Sequence, residues 1–115
     1  MDSSLPVNES KPQRRAFKMF LYKGFEDEYK KRHDAIWPEL KELLKAAGIR
    51  DYSIYLDEDT HILFVSFTFQ DKDKVDALPQ HTVMQKWWGY MKDIMESNPD
   101  YSPVVVPLKE MFHLP

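Results

Sequence analysis

His33 is the residue in this chain best suited to move a proton near neutrality, because an imidazole of unperturbed pKa about 6.5 both gives and takes one there. It follows Lys30, Lys31 and Arg32, precedes Asp34, and stands four residues after Tyr29. Residues four apart share a helix face, so a phenol and an imidazole would enter one pocket side by side. The same run also reads as a helix C-terminus whose cations meet the negative end of the macrodipole. Trp87 and Trp88 are followed by Tyr90. Adjacent helical residues diverge by about 100°, so both indoles cannot enter one core and at least one should line a rim or groove. Such a groove suits a sugar: aromatic faces pack on its C–H faces, while phenol and indole N–H groups bond its hydroxyls. Two tryptophans packing a helix on a sheet is the plainer alternative. Tyr52 and Tyr55 fall on one expected strand and must point to opposite faces, so at most one joins a given cavity, and the pattern does not choose between them.

Metal and nucleophile chemistry are not expected. The four histidines, at 33, 61, 81 and 113, show neither HxxxH nor HExxH spacing, and cysteine is absent, which removes thiolates and disulfides together. A net charge of -3 offers no overall positive field for nucleic acid or anionic lipid, so neither partner is expected. No apolar run of membrane-spanning length occurs, and MDSSLPVNESKPQ has neither the basic start nor the apolar stretch of a secretory signal, so a cytoplasmic location is the expectation.

The elements that must position these residues follow from periodicity. A chain of 115 residues is one domain. Residues 1 to 13, with two prolines and little hydrophobicity, have the composition of a mobile tail, and a single domain is expected over 14 to 115. Ala16 to Tyr22 is apolar except at Lys18, which suits a central strand. Phe25, Tyr29, Ile36, Leu40, Leu43, Leu44 and Ala47 form a helical stripe ending at Gly48. Pro38 should split that stripe into pieces at 25 to 33 and 36 to 47. Residues 50 to 57 and 61 to 69 predict a β-hairpin, 71 to 77 a short helix, 80 to about 98 an amphipathic helix, and 104 to 113 a last strand weakened by Pro107.

The order β, α, β, β, α, β is that of the ferredoxin-like α+β sandwich, a four-stranded antiparallel sheet with its helices on one face. On the third strand Leu63, Val65, Phe67 and Phe69 point one way, and Ile62, Phe64, Ser66 and Thr68 the other, so neither face reads as a solvent face. A sheet covered on one side alone would expose an apolar patch, which predicts a homodimer built sheet against sheet.

Five segments carry a more specific signal: RRAFKMF at 14 to 20, EYKKRHDAIWPEL at 28 to 40, DYSIYLDE at 51 to 58, WWGYMKDIMESNPDYSPV at 87 to 104 and LKEMFHLP at 108 to 115. In order and spacing they resemble successive blocks of the L-rhamnose mutarotase family, across essentially the whole expected domain. The resemblance implies a dimeric α+β barrel in the cytoplasm that interconverts the α and β anomers of L-rhamnose during its breakdown, with no metal or organic cofactor. It also implies that His33 is the proton donor and that Tyr29, Tyr52, Trp87 and Trp88 contact the substrate. Asp34 is a candidate partner for His33 by proximity in sequence. The tail before Arg14 is extra to the family pattern, and His113 stands where a tyrosine is also familiar. The architecture alone would equally accommodate a cofactor-independent monooxygenase, a haem-degrading enzyme or a noncatalytic sugar-binding module.

Overall fold

The computed structural model describes residues 11–115, so the first ten residues of the expected tail lie outside it. Its organising contact is the antiparallel pairing of β1 (Gln13–Phe20) with β3 (Ile62–Phe69), which runs from Gln13 opposite Phe69 to Phe20 opposite Ile62. β2 (Arg50–Asp57) flanks β3, and β4 (Val106–Pro107) flanks β1, giving the strand order β2-β3-β1-β4. All pairs are antiparallel. This is the expected α+β, ferredoxin-like sheet, with the apolar β1 and β3 at its centre.

Between β1 and β2 the chain forms α1 (Glu26–Asp34) and α2 (Pro38–Ala46), and Pro38 opens α2 as its first residue, where its missing N–H costs no helical bond. Gly48 ends that segment with φ at 82°, a conformation that glycine adopts without strain. After β3 come α3 (Lys72–Asp76), capped by Asp71 accepting from the N–H groups of Asp73 and Lys74, then a 3-10 turn (Leu78–Gln80) and α4 (Thr82–Met91). Alternation along β3 buries Leu63, Val65, Phe67 and Phe69 against the helices. Met19 joins them from β1, Leu40 from α2, and Trp87 and Met91 from α4. No helix among the described residues is long and apolar enough to cross a membrane.

Three boundaries differ from expectation. β1 starts at Gln13, inside the expected tail, because β3 is long enough to partner it there; Arg15 lies over the Phe69 ring at 4.9 Å and binds Asp76 at 3.2 Å. Its apolar end, Leu21 and Tyr22, leaves β1 but still meets the chain beyond α4, through the Leu21–Met95 bridge and the Tyr22 N–H to the Ile94 carbonyl. α4 stops at Met91 although the apolar spacing continues, since Ile94 and Met95 are buried after the helix has already turned. The last strand shrinks to two residues: Pro107 has no N–H to offer, and after the Leu108 N–H reaches the Ala16 carbonyl the chain departs. Met111, Phe112 and Leu114 are left 84%, 81% and 78% exposed.

The sheet face away from the helices carries Ala16, Lys18 and Phe20 from β1, Ile62 and Phe64 from β3, and Tyr55 from β2, by register.

Candidate active site

α1 is polar, and Tyr29 is its one buried residue. One turn later His33 stacks on Tyr29, with ring centroids 4.4 Å apart. The His33 Nδ1 lies 3.1 Å from the Tyr29 carbonyl oxygen, an acceptor, so Nδ1 carries the proton and donates it. That assigns the neutral tautomer and leaves the Nε2 lone pair without a hydrogen bond among the described residues. Desolvation lowers the His33 pKa below its ordinary 6.5, opposed in part by the Tyr29 carbonyl and the Asp34 charge. The resting imidazole is therefore neutral at pH 7.

α4 supplies the facing wall. Trp87 meets His33 edge to face at 5.4 Å, and Trp37, at the entry to α2, meets Trp87 in the same manner at 5.1 Å. Tyr90, one turn beyond Trp87, stacks on Trp37 at 5.5 Å. The helices thus converge on a continuous ring cluster of Tyr29, His33, Trp87, Trp37 and Tyr90.

β2 brings the remaining phenol by means of a bulge. Arg50 is opposite Thr68 and Ser53 opposite Ser66, so two residues, Asp51 and Tyr52, face the single Phe67. Asp51 takes φ at 53°, and Tyr52 lies flat on Phe67 with centroids 5.4 Å apart. This resolves the choice left open between the two tyrosines of that strand: Tyr52 is on the helix side, whereas Tyr55 is on the other face and 68% exposed. Tyr52 keeps 42% of its surface, yet desolvation pushes its pKa up to about 12. Burial raises Tyr29 further, and a charge on Tyr52 would disfavour its ionisation again. Both phenols are therefore neutral at any physiological pH.

Two candidates lie elsewhere. Trp88 is half-buried against the core and makes no ring contact with the cluster among the described residues. Asp34 turns away to the exposed side of α1, where Lys30 holds its oxygens at 2.9 and 3.1 Å with 66% of the side chain open. It is thus no hydrogen-bonding partner for the imidazole. The sequence reading missed Trp37 as part of the cluster; its signal was a position immediately before the proline that starts α2.

A cleft of about 510 Å³ opens between α2 and β2, lined by Ile36, Lys41, Leu44, Lys45, Ile49, Arg50, Asp51 and Tyr52. It is lined by none of the ring cluster's residues and, of the candidates, only by Tyr52, so volume and chemistry do not coincide in the isolated chain. The chemistry weighs more here, because no histidine lines the cleft. No group of three or more His, Asp or Glu gathers as a metal site among the described residues.

Comparison with known proteins agrees across sequence and structure. The L-rhamnose mutarotase of Phocaeicola vulgatus is 55% identical over 102 residues, spanning 89% of this chain and 98% of that protein. That of Agrobacterium fabrum is 57% identical over 103 residues, 90% and 96% of the two chains. The crystal structure of an L-rhamnose mutarotase from Formosa agariphila superposes with a TM-score of 0.83 at 47% identity, covering 90% of this chain and 99% of the other. A Mycobacterium tuberculosis protein, Rv0793, at 11% identity and a TM-score of 0.55, shares the fold alone. The L-rhamnose mutarotase family profile matches residues 14–114, and with these relatives it shows that the chain belongs to that family, isomerases that interconvert sugar anomers.

Proposed function

We propose that this protein equilibrates the anomers of L-rhamnose by letting His33 carry one proton between the two oxygens of the anomeric carbon. The observation that carries this reading is the imidazole itself, neutral, with Nδ1–H tied to the Tyr29 carbonyl and Nε2 unengaged. Nε2 accepts the proton of the anomeric hydroxyl as the C1–O5 bond breaks and the C1=O1 bond forms. The resulting imidazolium then donates that proton to the ring oxygen. Rotation about C1–C2 presents the other aldehyde face, and the reverse steps close the ring as the other anomer. No electrons leave the sugar, and no covalent enzyme intermediate is required. Tyr29 and Tyr52, held neutral by desolvation, donate hydrogen bonds to sugar oxygens, and Trp87 supplies the apolar wall for the ring's C–H faces, with Trp88 left outside the cluster. The imidazole contributes about 100- to 10,000-fold as acid and base.

The working form is a homodimer, with the second copy covering the open sheet face. Phe20, Ile62, Phe64 and Tyr55 on that face and the exposed Met111, Phe112 and Leu114 supply the apolar surface. The reading also places the enzyme in the cytoplasm, where the family's part in L-rhamnose breakdown would be played.

Saturation-transfer NMR at the anomeric protons of L-rhamnose tests the chemistry directly at equilibrium. Enzyme-dependent exchange that disappears in His33→Ala is the expected outcome. Exchange persisting at the native rate in that variant would remove His33 from the reaction.

A further inference from the structure

α1 has little apolar surface with which to hold its place. Its sequence is EDEYKKRHD, and Tyr29 alone is buried, so hydrophobic packing cannot fix the angle or height at which the helix presents His33. Arg32 lies three residues after Tyr29 and directly before His33, on the flank of the same stripe. Its side chain is only 11% exposed, and all three guanidinium nitrogens are engaged. Nε donates to Glu28 at 2.8 Å, within α1. Nη1 and Nη2 donate to the two carboxylate oxygens of Asp93 at 2.9 and 3.2 Å, and Nη1 also donates to the Tyr90 carbonyl at 2.7 Å. The guanidinium plane covers the Tyr90 ring at 4.5 Å.

These contacts fall at the C-terminal end of α4. There the Ile94 N–H goes to the Met91 carbonyl, so the Tyr90 carbonyl is among those a helix leaves without an internal partner. A cation at that end also meets the helix macrodipole favourably. Arg32 therefore closes α4 and fastens α1 to it in one set of bonds. The two helices joined in this way carry His33 and Trp87, whose rings meet at 5.4 Å.

We infer that Arg32 is a positioning residue for this reaction, a brace from α1 to the end of α4 that fixes the His33 imidazole relative to the sugar-facing aromatics. The inference rests on the reading of His33 as the proton carrier. It weights the loss toward chemistry, because Tyr52 on β2 and Trp87 on α4 keep their places when α1 loosens, and of the binding contacts only that of Tyr29 moves with the helix. A misplacement near 1 Å is enough to cost roughly 100-fold in rate.

The test is the exchange rate measured across L-rhamnose concentrations for native protein, Arg32→Gln, Arg32→Lys, Asp93→Asn and the double variant Arg32→Gln/Asp93→Asn. Temperatures are chosen at which circular dichroism shows each to be folded. Arg32→Gln should lose about 10- to 100-fold in kcat with KM within about twofold. Arg32→Lys keeps the charge without the planar fork and should recover only part of that loss. Asp93→Asn leaves the Tyr90 carbonyl bond and should lose less, while the double variant should be no slower than Arg32→Gln, since both changes act through one contact. The ring-current shift that Trp87 imposes on the His33 imidazole protons should diminish in step with kcat. Native kcat in folded Arg32→Gln, or a loss carried wholly by KM, would overturn the inference. Should Arg32→Gln fail to fold, native kcat in Asp93→Asn and Arg32→Lys overturns it equally. His33→Ala, run alongside, keeps the two ideas apart: exchange surviving there defeats the proton-carrier reading, whereas exchange lost there but intact in the Arg32 variants defeats the brace alone.

Discussion

The proton transfer proposed for His33 depends on which of its nitrogens is free, and α1 decides this with its own backbone by placing the Tyr29 carbonyl 3.1 Å from Nδ1. Because burial disfavours the cation, the folded pKa lies below 6.5. The sign follows: the neutral, active form persists as pH rises and is lost as pH falls through that lowered value. The rate of anomer exchange should therefore be flat from pH 7 upward and decline in acid with a midpoint below 6.5. A midpoint above 6.5, or a rate that falls between pH 7 and 8, would contradict it. Tyr52→Phe keeps the stack on Phe67 but deletes the hydroxyl. If Tyr52 contacts the sugar as proposed, losing that hydrogen bond, about 0.5 to 1.5 kcal/mol, should raise KM about 2- to 12-fold with kcat nearly unchanged.

At the scale of elements, the bulge in β2 is the feature on which the geometry of the site most depends. Asp51 holds φ at 53°, a left-handed conformation that costs a residue with a Cβ roughly 1 kcal/mol. Asp51→Gly should leave the thermal midpoint close to native, relief of strain being offset by glycine's larger unfolded-state entropy. Asp51→Val should lower stability by about 1 to 3 kcal/mol and raise KM, since a β-branched residue resists the left-handed region and the bulge also sets Tyr52. Nothing in RDYSIYLD announces this bulge, because Asp is common in ordinary strands' ends and turns. The sequence could say only that Tyr52 and Tyr55 diverge. Elements defined by local pattern were legible: the break at Pro38, the hairpin from Arg50 to Phe69, and the pairing of Tyr29 with His33 on one face. Elements defined by distant partners were not. Gln13 to Arg15 become strand because Phe67 to Phe69 are there to pair, and VVVPLKEMFHL stays mostly unpaired because a single sheet edge offers it two residues. Trp37 and the Arg32 contacts with Asp93 were hidden for the same reason, being meetings of helices that are remote in sequence.

For the whole molecule, the open face of the sheet sets the prediction. Phe64 lies opposite Lys18 on β1 and near Tyr55 on β2, at the middle of that face. If a second copy covers it, Phe64→Lys would bury a second ammonium directly opposite Lys18 in the interface, and sedimentation at micromolar concentration should show dimer for the native chain and monomer for the variant. A native monomer at that concentration, without precipitation, would refute the sheet-on-sheet assembly.

The shortness of β4 has a kinetic consequence. Its single amide proton, on Val106, and the Leu108 N–H that bonds the Ala16 carbonyl lie at a two-residue ladder and can open locally, while amides between β1 and β3 are released only when the core itself comes apart. In deuterated buffer the two groups should differ widely in exchange time. If the second copy also covers this edge, dilution of the protein should hasten deuterium uptake at Val106 and Leu108 while leaving the centre of the sheet slow, so the clock at one frayed edge would count how often the molecule is alone.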